Sequence, residues 1–202
     1  LAHSKMHCCD WRMHKQESEH LVAEVRNGKR SVAPFALLGV TDSAPDQLLC
    51  ARIWVGDKCR ASPAPIWKGK RYRHDRIRLA YLSADFGDHA VSYLLAGLFE
   101  RHDRSRFETM AISFGADAAG EMHARVKGAF ERFIDVRDKS DFEIANLLSG
   151  LEIDIAVDLM GFTVHSRTKI FAFRPAPIQV NYLGYPGTMG ADYIDYILAD
   201  RF

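Results

Sequence analysis

Apolar residues in this chain change their spacing near residue 70, and the change divides the chain into two unequal parts. Upstream, Trp11, Leu21, Val22 and Val25 fall at helical spacing in a polar run that stops at Asn27-Gly28, a pair suited to closing a helix. Residues 31–43 show no period and read as irregular. Pro45-Asp46 then opens a second helix, from 47 to about 56, with Leu48, Leu49, Ile53 and Trp54 as its apolar positions. Two helices and a linker bury too little surface to stand alone. Residues 1–72 are therefore expected to pack on the larger part or on helices further upstream.

Downstream, the period alternates between that of strands and that of helices. Strands are expected over 77–82, 108–114, 133–136, 153–159, 178–183 and 193–198. Helices are expected over 91–102, 122–130 and 141–148. The first of these should bury Leu94, Leu95, Leu98 and Phe99, and Ser140 should cap the last. Strands alternating with helices argue for a parallel α/β sheet over residues 73–202. No internal repeat or low-complexity segment interrupts it.

Composition narrows the class without naming a function. With 202 residues, 48% hydrophobic and 26% charged, the chain has the make-up of an ordinary soluble globular protein. A net charge of +1 gives no global reason to expect nucleic acid or a membrane surface. No apolar run approaches the roughly 20 residues of a membrane span, and no signal peptide is visible. Cys8, Cys9, Cys50 and Cys59 lack zinc-ligand spacing and read as reduced cysteines of a cytosolic protein. The chain begins with leucine and ends on the residues after an apolar strand, so it reads as a piece of a longer protein. Between Lys68 and Arg78, six basic residues face one acid, Asp75. No aromatic pattern accompanies them, and a solvated linker entering a strand is the expected reading.

In an open α/β sheet, ligands bind beyond the carboxyl ends of the strands. Three loops fall there. The first, Ser83-Ala84-Asp85-Phe86-Gly87-Asp88-His89, leads into a helix. The positive end of that helix disfavours an imidazolium at His89, and a neutral ring can accept a proton or bind a polar ligand. A structural histidine bonding loop carbonyls is the alternative. The second loop starts at Asp158, which could orient a neighbour, bind a sugar hydroxyl or act as a base, or could serve structure alone. The third runs through Tyr185, Pro186, Gly187 and Thr188. Three prolines (Pro175, Pro177, Pro186) and three glycines (Gly184, Gly187, Gly190) fix its path. Thr188 and the amides of Gly187 and Gly190 could bond a phosphate or a sugar hydroxyl, and Arg174 is a further anion candidate. There is no GxGxxG after the first strand, no Walker A loop and no GxSxG elbow. His102, His123 and His165 have no ligand-like spacing, so no metal is expected.

Three strings together resemble one family. They are LSADFGDHAVSYLLAGLFERHD at 82–103, DLMGFT at 158–163 and FRPAPIQVNYLGYPGTMGADYIDYILAD at 173–200. They resemble the O-linked N-acetylglucosamine transferases, and more closely the bacterial members in which tetratricopeptide repeats precede the catalytic region. The resemblance covers residues 75–202. It implies a Rossmann-like N-terminal lobe of a GT-B glycosyltransferase over residues 73–202, with residues 1–72 as the helical segment joining upstream repeats to it and the C-terminal lobe lying elsewhere. It further implies transfer of N-acetylglucosamine from UDP-GlcNAc to serine or threonine hydroxyls of proteins, with inversion and without a metal or other cofactor. By motif, His89 matches the family's active-site histidine. Tyr185, Pro186, Gly187 and Thr188 match the loop lining the sugar side of the cleft. Asp158 stands where the animal enzymes carry asparagine, and Ala90 where proline is common. Two other readings share the sheet: a non-catalytic α/β interaction module, and a UDP-glucose-dependent transferase of the same fold.

Overall fold

The computed structural model describes residues 2–116 and 119–201. The chain forms two compact units, one of residues up to 60 joined by 187–191, the other of 61–186 with 192–201.

The helical unit holds α1 (Ala2–His7), α2 (His14–Arg26), α3 (Pro34–Leu37) and α4 (Ala44–Lys58). Its core is small: Val25, Leu37 and Cys50 are buried, with Val32, Val40, Leu49 and Ile53 packed against them. Helix α2 ends at Asn27, and Gly28 takes the left-handed φ of +74° that a glycine tolerates after a helix. Arg26 ties α2 to the start of α4 through a two-pronged ion pair with the buried Asp46, at 2.9 and 2.8 Å. The guanidinium holds the Asp46 carboxyl below its ordinary range. Two expectations change here. Trp11 lies ahead of α2 and is exposed. The stretch read as irregular contains α3, a single turn too short to show a period.

The second unit is a six-stranded parallel sheet. Its strands are β1 (Ile77–Ser83), β2 (Phe107–Ser113), β3 (Arg132–Asp135), β4 (Ile155–Asp158), β5 (Ile178–Tyr182) and β6 (Tyr196–Leu198), in the order β3-β2-β1-β4-β5-β6. Between them run α5 (Ala90–Glu100), α6 (Glu121–Ala129), α7 (Asp141–Gly150) and the short α8 (Lys169–Ala172). Leu79, Tyr81, Phe86, Leu95, Phe99, Phe130 and Val157 belong to one buried cluster, in which the Phe99 and Phe130 rings lie 4.6 Å apart. Such burial contributes about 1.5–3 kcal/mol for each large side chain.

Every strand and helix expected from residue 77 onward is present, with no end moved by more than three residues. Ser140 caps α7 as expected and does so in a reciprocal box: its hydroxyl accepts the Glu143 amide, while the Glu143 carboxylate accepts the Ser140 amide at 2.8 Å. The buried face of α5 differs from expectation. Ser92, Leu95, Ala96 and Phe99 point inward, while Leu94 and Leu98 are exposed. Positions 92, 95, 96 and 99 make one 3.6-residue stripe, and a polar serine at its head disguised it. The basic run of 68–78 carries no helix or strand up to Asp75, and part of it is ion-paired: Lys70 with Glu152, Arg76 with Glu131 and Arg78 with Glu108. Among the described residues, no helix is long and apolar enough to cross a membrane.

Candidate functional site

Strand order reverses between β1 and β4, which are neighbours although β2 and β3 intervene in the chain. Chain connections leave in opposite directions there, opening a crevice above the strand ends. The loop after β1, with His89, and the end of β4, at Asp158, flank it.

His89 is the N-cap of α5. Its extended backbone (φ −144°, ψ 148°) ends the loop, and its Nδ1 accepts the Val91 amide at 3.3 Å. The sequence placed it just ahead of the helix; it is the cap itself, a role more often filled by Ser, Thr, Asp or Asn. The side chain is about half exposed, and Asp85 Oδ2 lies 3.6 Å from Nδ1. Nε2 makes no hydrogen bond among the described residues. The preceding loop is held by buried hydroxyls. Ser83 Oγ accepts the Asp85 amide at 2.9 Å and donates to Met160 Sδ at 3.4 Å, and Ser92 Oγ donates to the Asp85 carbonyl at 2.6 Å. The other acid of the loop, Asp88, accepts the Tyr93 hydroxyl at 2.8 Å. Asp85 and Ser92 were not singled out from sequence. The four-residue step from Asp85 to His89 was the available signal.

Asp158 is only 3% exposed. Its Oδ1 accepts the amides of Met160 (2.9 Å) and Gly161 (3.1 Å), shaping the turn after β4. Oδ2 is buried without a hydrogen bond. Burial pushes the carboxyl up to about 6, against the pull of the two amides and of the Asn181 side chain. This geometry makes Asp158 a turn-former under the site, and the expected contact with a sugar hydroxyl is not supported: the side chain does not reach solvent.

Tyr185 is buried as well, at 2% exposed, its ring meeting Phe162 edge-on at 5.3 Å. It lies so close under Gly161 (φ +57°) that a Cβ there would stand 2.3 Å from the Tyr185 Cβ. Gly184 is equally constrained, because a Cβ would fall 1.8 Å from the Leu159 carbonyl oxygen. Tyr185, expected to line the site, is instead buried and anchors its loop from below. Pro186 is exposed. Gly187 and Thr188 group with the helical unit. The Gly190 amide is directed to Thr188 Oγ1 at 3.3 Å, so it is already engaged. In the same unit Gly190 (φ +56°) sits against Ala51, where a Cβ would come within 2.8 Å. Arg174 is also occupied: it donates to the carbonyls of Tyr193 (2.9 Å) and Pro177 (2.8 Å) and pairs with Asp195. It holds the loop together and is not available as an anion contact. Among the described residues, no three His, Cys, Asp or Glu side chains converge to hold a metal ion.

Known proteins resemble this arrangement. Residues 57–202 match the description of glycosyl transferase family 41. A probable UDP-N-acetylglucosamine–peptide N-acetylglucosaminyltransferase of Arabidopsis thaliana, SEC, is 41% identical over 127 residues, covering 63% of this chain and 13% of that protein. The UDP-N-acetylglucosamine–peptide N-acetylglucosaminyltransferase of Caenorhabditis elegans is 36% identical over 126 residues, covering 62% of this chain and 11% of that one. The solved structure of a point mutant of the Thermobaculum terrenum O-GlcNAc transferase superposes with a TM-score of 0.67 at 28% identity, over 94% of this chain and 34% of that structure's chain. The chain therefore spans about an eighth of the length of these curated relatives. The match takes in the whole sheet, both loops at the strand-order reversal and the His89 cap, and by it the chain belongs to glycosyl transferase family 41.

Proposed function

We propose that this chain supplies one lobe of an inverting protein glycosyltransferase, which moves N-acetylglucosamine from UDP-GlcNAc to serine or threonine hydroxyls. The observation that carries the reading is the family match across the sheet unit, with His89 half exposed at the strand-order reversal and its Nε2 unengaged among the described residues. In that role His89 is the group beside the acceptor hydroxyl. Exposed Pro186, in the same unit as His89, is the donor-sugar contact of this reading.

Inverting transfer needs a hydroxyl in line with the departing diphosphate, and the diphosphate needs cations or amide dipoles to stabilise it. In this reading a second lobe supplies the diphosphate contacts, no metal takes part, and tetratricopeptide repeats precede residue 1. A cytoplasmic location fits the cysteine spacing, which shows no disulfide framework. The test is transfer of labelled sugar to a peptide acceptor by the full natural chain, offered UDP-GlcNAc and UDP-glucose side by side. Turnover with UDP-GlcNAc supports the reading. Turnover with UDP-glucose alone replaces the donor, and none with either leaves an interaction module.

A further inference from the structure

At the head of α5, one nitrogen has two neighbours with opposite demands. His89 Nδ1 lies 3.3 Å from the Val91 amide and 3.6 Å from Asp85 Oδ2. The amide requires a lone pair on Nδ1, which leaves the neutral ring's proton on Nε2. The carboxylate requires a proton on Nδ1, which leaves a lone pair on Nε2. Only the second arrangement lets Nε2 receive a proton.

Asp85 is placed to favour that arrangement. Its amide and carbonyl are both taken by hydroxyls, those of Ser83 at 2.9 Å and Ser92 at 2.6 Å, and these two serines are 0% and 1% exposed. Ser83 rests in turn on Met160 beside it. The main chain of Asp85 is thereby fixed from both sides, four residues ahead of His89 in the loop, and its side chain is left for the ring. Asp88 does not compete, because it is bonded to Tyr93. The Val91 bond is long for an N–H to nitrogen contact, and Asp85 Oδ2 stands just beyond hydrogen-bond distance; a small turn of the ring exchanges the first for a bond to the carboxylate, which is about twice as strong as a neutral one.

We propose that Asp85 is a positioning residue for His89: it draws the ring proton to Nδ1, so that Nε2 can take the proton of the acceptor hydroxyl. The inference rests on the function proposed above. In the step, the hydroxyl oxygen bonds to the anomeric carbon of the nucleotide sugar. The bond from that carbon to the diphosphate breaks, and its electron pair stays on the leaving oxygen. The hydroxyl proton passes to Nε2. The resulting imidazolium keeps its Nδ1–H toward Asp85, whose negative charge stabilises it.

The test uses the full natural chain with nitrogen-15 in its histidine rings, and His89→Gln to assign the His89 signals. The wild type is expected to show Nδ1 protonated and Nε2 bare. Asp85→Ala should move the proton to Nε2. Asp85→Asn, whose side-chain oxygen still accepts, should keep it on Nδ1 and shows that loss of fold is not the cause. In sugar transfer, Asp85→Ala should lower kcat by about 10- to 100-fold with the donor KM unchanged. A wild-type ring protonated on Nε2, or a ring indifferent to Asp85→Ala, overturns the proposal, as does an unchanged kcat. If the wild type transfers no sugar, the proposed function fails, while the ring spectra still decide whether Asp85 governs His89.

Discussion

Asp158 shows how one residue can look catalytic in sequence and be something else in the fold. It ends a central strand beside a candidate site, yet its carboxyl is sealed beneath the turn it shapes. The charge state has a thermodynamic consequence. Its folded pKa of about 6 lies above the value of about 3.9 for an unfolded aspartate, so the folded chain binds the proton more tightly. Stability from this group is complete below about pH 3.9, falls as pH rises toward 6, and stays lower at neutral pH by about 2–3 kcal/mol. Asp158→Asn keeps the oxygen that accepts the Met160 and Gly161 amides and removes the buried charge. It should stabilise the fold at pH 7 by about 1–3 kcal/mol and flatten the pH dependence between 4 and 6, as read from thermal melts across that range.

At the level of elements, legibility followed the length of the signal. Apolar runs such as those in β1 and β5 are complete within a few residues and stood out, as did the Ser140–Glu143 cap of α7. Single turns such as α3 and α8 carry no period and were missed. The face of α5 was misjudged because leucines at 94 and 98 outweighed the serine at 92, whose burial depends on a carbonyl partner seven residues back. For the candidate site, the loops were legible from their glycines, prolines and family strings. The division between residues that face solvent and those that lie beneath was not, because burial is set by strands distant in sequence. The junction after β5 tests that division. Gly184→Ala would press a methyl group into the Leu159 carbonyl, which is backbone and cannot swing aside. A loss on the order of 2–4 kcal/mol is expected in denaturant unfolding, far above the usual effect of Gly→Ala.

For the sheet as a whole, the two ends of β1 and β4 have different chemistry. The carboxyl ends carry His89 and Asp158, while the opposite ends carry an ion cluster. There His74, mostly buried, lies 3.1 Å from both Asp154 and Glu152, and Glu152 also pairs with Lys70. Asp154 additionally accepts the Arg78 amide at 2.9 Å, fastening the start of β1 to the turn before β4. Burial disfavours a charged ring, but the two carboxylates outweigh it, and the His74 pKa is raised from 6.5. A raised folded pKa means the contribution is complete below about pH 6.5 and is lost as pH climbs through the folded value. Amide exchange in β1 and β4 should therefore accelerate above about pH 6.5 more than its intrinsic pH dependence requires. His74→Gln should remove that excess. The Asp158 window closes near pH 6 and the His74 window opens above it, so the two variants separate two effects that run in the same direction.

The contact between Gly161 and Tyr185 bears on how relatives of this chain can diverge. One position has no room for a side chain because the other fills it, and the left-handed backbone at 161 adds a second demand for glycine. Substitution at 161 is closed first by the Tyr185 Cβ, so a smaller side chain at 185 does not open it. Shrinking 185 alone leaves a hole beside Phe162. Through this contact the turn after β4 is tied to the turn after β5: across the family, Gly at 161 should be kept whatever side chain stands at 185, because the Cβ that closes it belongs to every residue but glycine.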